Sequence, residues 1–169
     1  MNDRQTAQPA PAAARWSTMN SPVGPLRLRT DGSALTAIDF EPWLDQPDVR
    51  DDDHPVLVAA RGQLGEYFAG ARRDFDLPLA PRGSDFSRRV WLALSDIPYG
   101  QTRSYGQVAA ALGLPPGASR AVGAANGRNP VPVVLPCHRV VGADGTLTGY
   151  AGGVERKQVL LALESPGLL

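Results

Sequence analysis

The sequence predicts an α+β protein of two unequal parts. A small N-terminal domain would carry a three-stranded antiparallel sheet plus a helix. A C-terminal helical, winged-helix-like domain with a helix-turn-helix would follow. Three observations predict this. Period-two alternation runs through residues 15–40 around an Asp31-Gly32 turn. Apolar residues recur at helical spacing from Leu57 onward. Two short amphipathic stretches in the second half are joined by Gly113-Leu114-Pro115-Pro116-Gly117, a tight helix-breaking turn. The chain has 169 residues, 43% of them hydrophobic, enough for one generous domain or two small ones with a packed core.

Taken in order, residues 1–14 read as a disordered Ala/Pro/Gln tail without the cationic start and apolar core of a signal peptide. Residues 15–81 are expected to form the N-terminal domain with its linker. Arg15–Asn20 is the first strand, and Ser21-Pro22-Val23-Gly24-Pro25 is a turn. Leu26-Arg27-Leu28-Arg29 alternates, as do Thr36, Ile38 and Phe40 after the hairpin. Residues 41–53, acidic and Pro-containing, read as a loop. Leu57, Ala60, Leu64 and Tyr67/Phe68 mark a helix, and Gly70, Pro78, Pro81 and Gly83 a linker.

Residues 82–169 form the second predicted domain. Phe86, Val90, Ala93 and Leu94 mark a helix capped by Ser84. Tyr105, Val108, Ala109 and Leu112 mark the next, and Ala118, Ala121, Val122 and Ala125 the one after it. Pro130 and Pro132 forbid further helix. Val133–Val141 reads as a short extended stretch, and Val154–Glu164 as a last helix.

Composition narrows the function. No run of about 18 apolar residues exists, so no membrane span is expected. One cysteine excludes an internal disulfide, and one cysteine with two histidines speaks against a structural metal site. A reducing cytoplasm is the expected setting. The zero net charge hides an asymmetry. Residues 1–81 hold 8 cationic and 12 acidic residues, residues 82–169 hold 9 and 5, and Lys157 is the only Lys. A basic second half can meet a large anion such as nucleic acid.

Several residues could carry chemistry. The second helix of the pair sets Arg120, Gly123, Ala124 and Gly127 at i, i+3, i+4 and i+7, a nearly bare strip headed by one Arg. Such a strip suits either tight helix packing or close approach to DNA. Cys137 is the only thiol and is followed by His138. On a strand the two side chains would point to opposite faces, so His138 would need a bridging water or a turn to serve the thiol. Glu164 ends the last helix, where its charge opposes the dipole. It is either a solvated end or an acceptor that orients His138.

Asn129-Pro130-Val131-Pro132-Val133-Val134-Leu135-Pro136-Cys137-His138-Arg139-Val140-Val141 closely resembles the active-site segment of O6-alkylguanine-DNA alkyltransferases. Arg120-Ala121-Val122-Gly123, Ile97-Pro98-Tyr99-Gly100, Thr102-Arg103-Ser104-Tyr105, Gly149-Tyr150 and Leu160-Leu161-Ala162-Leu163-Glu164 also match, in order, over about residues 84–164. The resemblance implies that Cys137 accepts an alkyl group, that His138 is its base through a water, and that Glu164 orients His138. It implies that Asn129 ties the helix pair to the active-site turn and that Tyr105 helps rotate the nucleotide. Arg120 would fill the stack, with Ala121, Gly123, Ala124, Gly127, Ser104 and Tyr105 along the DNA. Val140, Tyr150, Ala151, Gly152, Gly153 and Pro132 would line the base pocket. Ala151 stands where many relatives have Ser or Arg, so a hydroxyl contact there would be missing.

The function so implied is direct reversal of O6-alkylguanine damage, and possible action on O4-alkylthymine, by irreversible, single-turnover transfer to Cys137. The partner would be duplex DNA, the protein a monomer, with no cofactor and no metal. Three alternatives stand beside it: a DNA-binding alkyltransferase-like protein without transfer, a Cys-His-Glu thiol hydrolase, and a plain helix-turn-helix regulator that would leave the cysteine motif idle.

Overall fold

The computed structural model describes residues 14–45, 47–147, 150 and 152–165. The expected tail therefore lies almost wholly outside the described residues. The N-terminal half is a sheet covered on one face by a helix. β1 (Arg15–Met19), β2 (Leu26–Thr30) and β3 (Leu35–Phe40) form the expected antiparallel meander. Its turns follow from local chemistry. Gly24 adopts φ 93° and donates to Ser21 O at 3.0 Å. Asp31 accepts from the backbone N–H groups of Ser33 and Ala34 at 2.8 and 2.9 Å.

The sheet has a fourth strand where a loop was expected. β4 (Val49–Arg50) pairs in parallel with β1, giving the order β3-β2-β1-β4. Two residues carry no periodic signal. The pairing is fixed instead by the Trp16 indole N–H donating to Asp48 O at 2.9 Å and Asp51 N–H donating to Trp16 O at 2.9 Å. The expected linker is also tied down. Leu35 N–H donates to Pro78 O and Ala80 N–H to Leu35 O, so residues 78–80 run along the free edge of β3.

α1 (Pro55–Phe68) lays Leu57, Ala60, Leu64 and Tyr67 on the sheet. One of the two histidines is used here: His54 accepts from Val56 N–H at 3.2 Å as the helix cap. On the opposite face, Arg27 and Arg29 both pair with Asp39 at 2.8 Å, and Arg27 also donates to Leu44 O.

The second half wraps α2 (Asp85–Leu94), α3 (Tyr105–Ala111) and α4 (Ser119–Gly127) around one core that is continuous with the first. Ser84 caps α2 through Ser87 N–H, as expected. α3 begins with a capping box. Ser104 Oγ accepts from Gln107 N–H at 3.1 Å, and the Gln107 side chain accepts from Ser104 N–H at 2.8 Å. Trp91 joins α2 to α4 by donating to Ala125 O at 2.8 Å. A short parallel pair, β5 (Arg103–Ser104) and β6 (Val140–Val141), brings the start of α3 beside the segment after Cys137. α5 (Val154–Glu164) closes the molecule.

Gly83 lies flat against Trp91. A Cβ there would stand 2.4 and 2.7 Å from ring atoms of an indole that is buried and hydrogen-bonded, so the ring cannot swing away. Gly83→Ala is expected to cost about 1–3 kcal/mol by overpacking, read from urea unfolding. A loss below about 0.5 kcal/mol, the range of ordinary surface changes, would show that the ring gives way.

Candidate active site

The site is built on a turn. Of the stretch expected to be extended, Val133–Val141, only Val140–Val141 is a strand. Val133 has φ 73°, a left-handed conformation that β-branched residues rarely adopt, and Cys137–Arg139 form one turn of 3-10 helix. Asn129 holds this path: its Nδ2 donates to Leu135 O at 2.7 Å and its Oδ1 accepts from Val131 N–H at 3.0 Å. Asn126, the last buried residue of α4, donates to Cys137 O at 3.3 Å. Two asparagines, one in the last turn of α4 and one just after it, therefore clamp the turn that carries the thiol. The strand argument against Cys137 and His138 acting together does not apply to a turn.

Cys137 is 1% exposed. Burial pushes its thiol above the ordinary range, while hydrogen bonding to Asn129 and the Lys157 charge pull it back. His138 is fully buried, and burial holds its imidazole below the usual value against the pull of Glu164. His138 Nε2 lies 2.7 Å from Glu164 Oε2. Burial would raise the Glu164 carboxyl, but hydrogen bonds from His138, Arg139 and Tyr67 outweigh it and hold the group well below the carboxylate range. An ionised Glu164 makes Nε2 the protonated nitrogen. Nδ1 is then an acceptor, and it has no partner among the described residues. Glu164 is thus no solvated helix end.

Four contributors were not recognisable as such in the sequence. Arg139 donates to both oxygens of Glu164, at 2.8 and 3.0 Å, and to Ile97 O at 2.7 Å. Tyr67 reaches Glu164 Oε2 from α1 at 2.5 Å. Lys157, buried in α5, donates to Val140 O at 2.6 Å, and Asn126 supports the turn. For Lys157 a signal existed: the only Lys of the chain lies three residues before Leu160 and seven before Glu164, on the inner side of α5.

The predicted pocket residues divide. Val140 is buried, and its carbonyl already holds Lys157. Gly152 is wedged between Phe40 and Tyr150, whose rings meet edge-on at 5.9 Å; a Cβ on Gly152 would come within 2.9 Å of both. The Tyr150 hydroxyl is buried with no partner among the described residues. Pro132, Gly152 and Gly153 line a cleft of about 620 Å³ together with Phe40, Trp43 and Arg156. Ala151 lies outside the described residues.

On α4, the expected apolar stripe is corrected. Val122 and Ala125 are buried, Ala121 is exposed, and Asn126 takes its inward place. Ala118 precedes the helix, and the inward face is Val122, Ala125 and Asn126 because Asn126 is drawn in to donate to Cys137 O. Arg120, Ala121 and Ala124 form an exposed face, with Gly127 half-buried at its end. Gly123 instead receives the Tyr105 ring of α3, whose edge lies 3.6 Å from where a Cβ on Gly123 would stand. The Ser104 hydroxyl is engaged as the α3 cap. Among the described residues, no group of three or more His, Cys, Asp or Glu could hold a metal ion, and no helix is long and apolar enough to cross a membrane.

Two family models cover most of the chain. The DNA-binding domain of 6-O-methylguanine DNA methyltransferase matches residues 85–166, and its ribonuclease-like domain matches residues 14–81. The chain belongs to the 6-O-methylguanine DNA methyltransferase family. A methylated-DNA–protein-cysteine methyltransferase of Mycolicibacterium paratuberculosis is 50% identical over 158 residues, covering 88% of this chain and 91% of the relative. A constitutive one from Bacillus subtilis is 45% identical, covering 88% and 94%. The crystal structure of Mycobacterium tuberculosis OGT in complex with DNA superposes with a TM-score of 0.82 at 48% identity, covering 90% of this chain and 96% of that one. This methyltransferase is therefore an α+β protein of the same architecture, and DNA is its partner.

The depressed Glu164 carboxyl fixes a sign for stability. Its contribution is complete above the ordinary glutamate value of about 4.3 and is lost as pH falls toward the lower folded-state value. Glu164→Gln leaves Arg139 buried without a counter-charge and is expected to cost about 3–5 kcal/mol near pH 7. The gap to wild type should narrow below about pH 4. Urea midpoints across pH 3–8 test this, and a gap that is flat with pH would refute it.

Proposed function

We propose that Cys137 is the alkyl acceptor for O6-alkylguanine in duplex DNA, and that the transfer is irreversible. The observation that carries this is the placement of the only thiol of the chain on a turn clamped by the last turn of α4, next to a His138–Glu164 pair at 2.7 Å. The alkyl group on guanine O6 lies inside the duplex, so the nucleotide must leave the stack. The exposed face of α4, with Ala121 and Ala124 and without bulk, suits close approach to a groove. Arg120 is exposed at the head of that face, with no hydrogen bond or ion pair among the described residues, and fills the gap left by the flipped base.

The thiol proton passes to His138 Nδ1 through a water, and Glu164 stabilises the imidazolium. Sγ then attacks the alkyl carbon. The Sγ–C bond forms as the C–O6 bond breaks, and Tyr105 supplies a hydrogen bond to the departing guanine. Val140, Tyr150, Gly152, Gly153 and Pro132 hold the base edge and the alkyl group. The thioether is stable and no second thiol exists to remove the group, so one molecule repairs one base. Monomeric action in a reducing cytoplasm goes with this reading, because a lone thiol must stay reduced until it meets its substrate.

Cys137→Ser should abolish transfer and keep DNA binding, because a hydroxyl is a far weaker nucleophile at neutral pH. Intact mass after incubation with methylated duplex should show one added methyl on wild type and none on the variant. A methyl on the variant would move the acceptor elsewhere. Turnover without a mass change would favour the thiol hydrolase, and binding without transfer by wild type the alkyltransferase-like protein.

Arg120→Ala should lower the rate on duplex about ten- to a hundredfold, since unstacking costs a few kcal/mol and each 1.4 kcal/mol is tenfold. The rate on the free alkylated base should change little, because that substrate needs no flipping. Equal losses on both, at one fixed salt concentration, would make Arg120 a structural residue.

A further inference from the structure

The Glu164 carboxylate has more donors than the orientation of one histidine requires. Oε2 accepts from the Tyr67 hydroxyl at 2.5 Å, His138 Nε2 at 2.7 Å and Arg139 Nη2 at 3.0 Å. Oε1 accepts from Arg139 Nε at 2.8 Å and Gly100 N–H at 3.4 Å. Arg139 alone fixes the plane of the carboxylate by its two-pronged grip. The Tyr67 hydroxyl is therefore not needed for position. It shares the same oxygen as His138, and it comes from the other half of the molecule, 97 residues away in sequence.

Tyr67 has little freedom to do anything else. Its side chain is fully buried, and its ring meets Phe68, Phe75 and Tyr99 at centroid distances of 5.2, 5.5 and 6.2 Å. Burial, with the charge of Glu164 beside it, pushes the phenol far above its usual value, so it remains a donor at every working pH. A donor to an ionised carboxylate disperses charge that would otherwise favour a protonated imidazole on the same oxygen.

We propose that Tyr67 tempers the active-site relay: by donating to Glu164 Oε2, it weakens the support that oxygen gives to a protonated His138, and so sets how readily Cys137 ionises. This rests on the reading of His138 as the partner of the thiol. The other titratable or charged groups facing the cluster are Arg139 from the active turn, Lys157 from α5, Tyr99 from the segment after α2, and Cys137 and Tyr150. Arg73 lies over the outer face of the Tyr99 ring at 5.0 Å. Tyr67→Phe changes none of them and keeps the ring contacts.

The test uses two titrations of the whole protein, wild type and Tyr67→Phe. The chain has two histidines, so NMR titration of their ring C–H signals reads His138 with His54 as internal reference. Cys137 is the only cysteine, and fragmentation of its peptide after iodomethane treatment separates methyl on Sγ from methyl on the adjacent His138. In that reaction the Sγ–C bond forms, C–I breaks, iodide leaves, and the thiol proton passes to His138 and then to buffer. Without the hydroxyl, the His138 pKa should rise by about 0.5–1 units, and the pH midpoint of alkylation should fall by a similar amount with the high-pH plateau unchanged. Tyr99→Phe removes a hydroxyl that donates to Leu163 O, not to Glu164, and should move neither titration. An unmoved or lowered His138 pKa overturns the proposal. So does a rate increase that is uniform across pH, which marks loosened packing. Iodomethane needs no DNA, so failure here is separate from failure of guanine repair.

Discussion

One buried carboxylate organises this molecule. Taking a charge out of water costs several kcal/mol, and only well-placed donors offset it. Glu164 meets that requirement with donors from α1, from the segment after α2, and from the active turn itself. Arg139, its counter-charge, is in turn fixed by Ile97 O and lies over the Tyr99 ring at 5.7 Å. The two halves of the chain cannot separate without stripping Glu164 of a donor. Their apolar residues form one continuous core, joined by burial of apolar surface.

A second constraint links α4 to the turn that carries the thiol. Asn126 and Asn129 belong to the end of α4 and the residues just after it, yet their amides hold Cys137 O, Leu135 O and Val131 N–H. Leaving any one of these buried groups unpaired would cost about 1–3 kcal/mol. The left-handed backbone at Val133 persists because this clamp over-determines it. The end of α4 and the turn that carries the thiol therefore form one unit.

The elements with a full period were legible. The α3–α4 pair followed from apolar spacing, and the β2–β3 hairpin from Asp31-Gly32. β4 was not legible, because two residues carry no period and their pairing comes from Trp16, more than thirty residues away. The active turn was misread as extended because its conformation is imposed by Asn129, not by the valines within it. Cys137, His138 and Glu164 stood out through family resemblance; spacing alone gave only a weak Cys-His pair and a charge at a helix end. Tyr67 looked like any core aromatic on α1, since the partner of its hydroxyl cannot be read from local sequence. The partners of Arg139 and Lys157 are likewise set by tertiary contact, Glu164 and Ile97 O for the one and Val140 O for the other.

Stoichiometric chemistry explains why such a rigid site is tolerable. An enzyme that turns over must release its product, and lids or hinges commonly serve that need. An acceptor that keeps its alkyl group has no product to release from the thiol. Its site can then be buried, over-tied and built around strain without loss of function. The cost falls elsewhere: the thiol must be shielded from adventitious electrophiles until the right one arrives. At 1% exposure Cys137 is shielded by packing. A carboxylate whose charge is shared among His138, Arg139 and Tyr67 shields it further, because a relay held partly in check ionises the thiol only as far as that sharing allows.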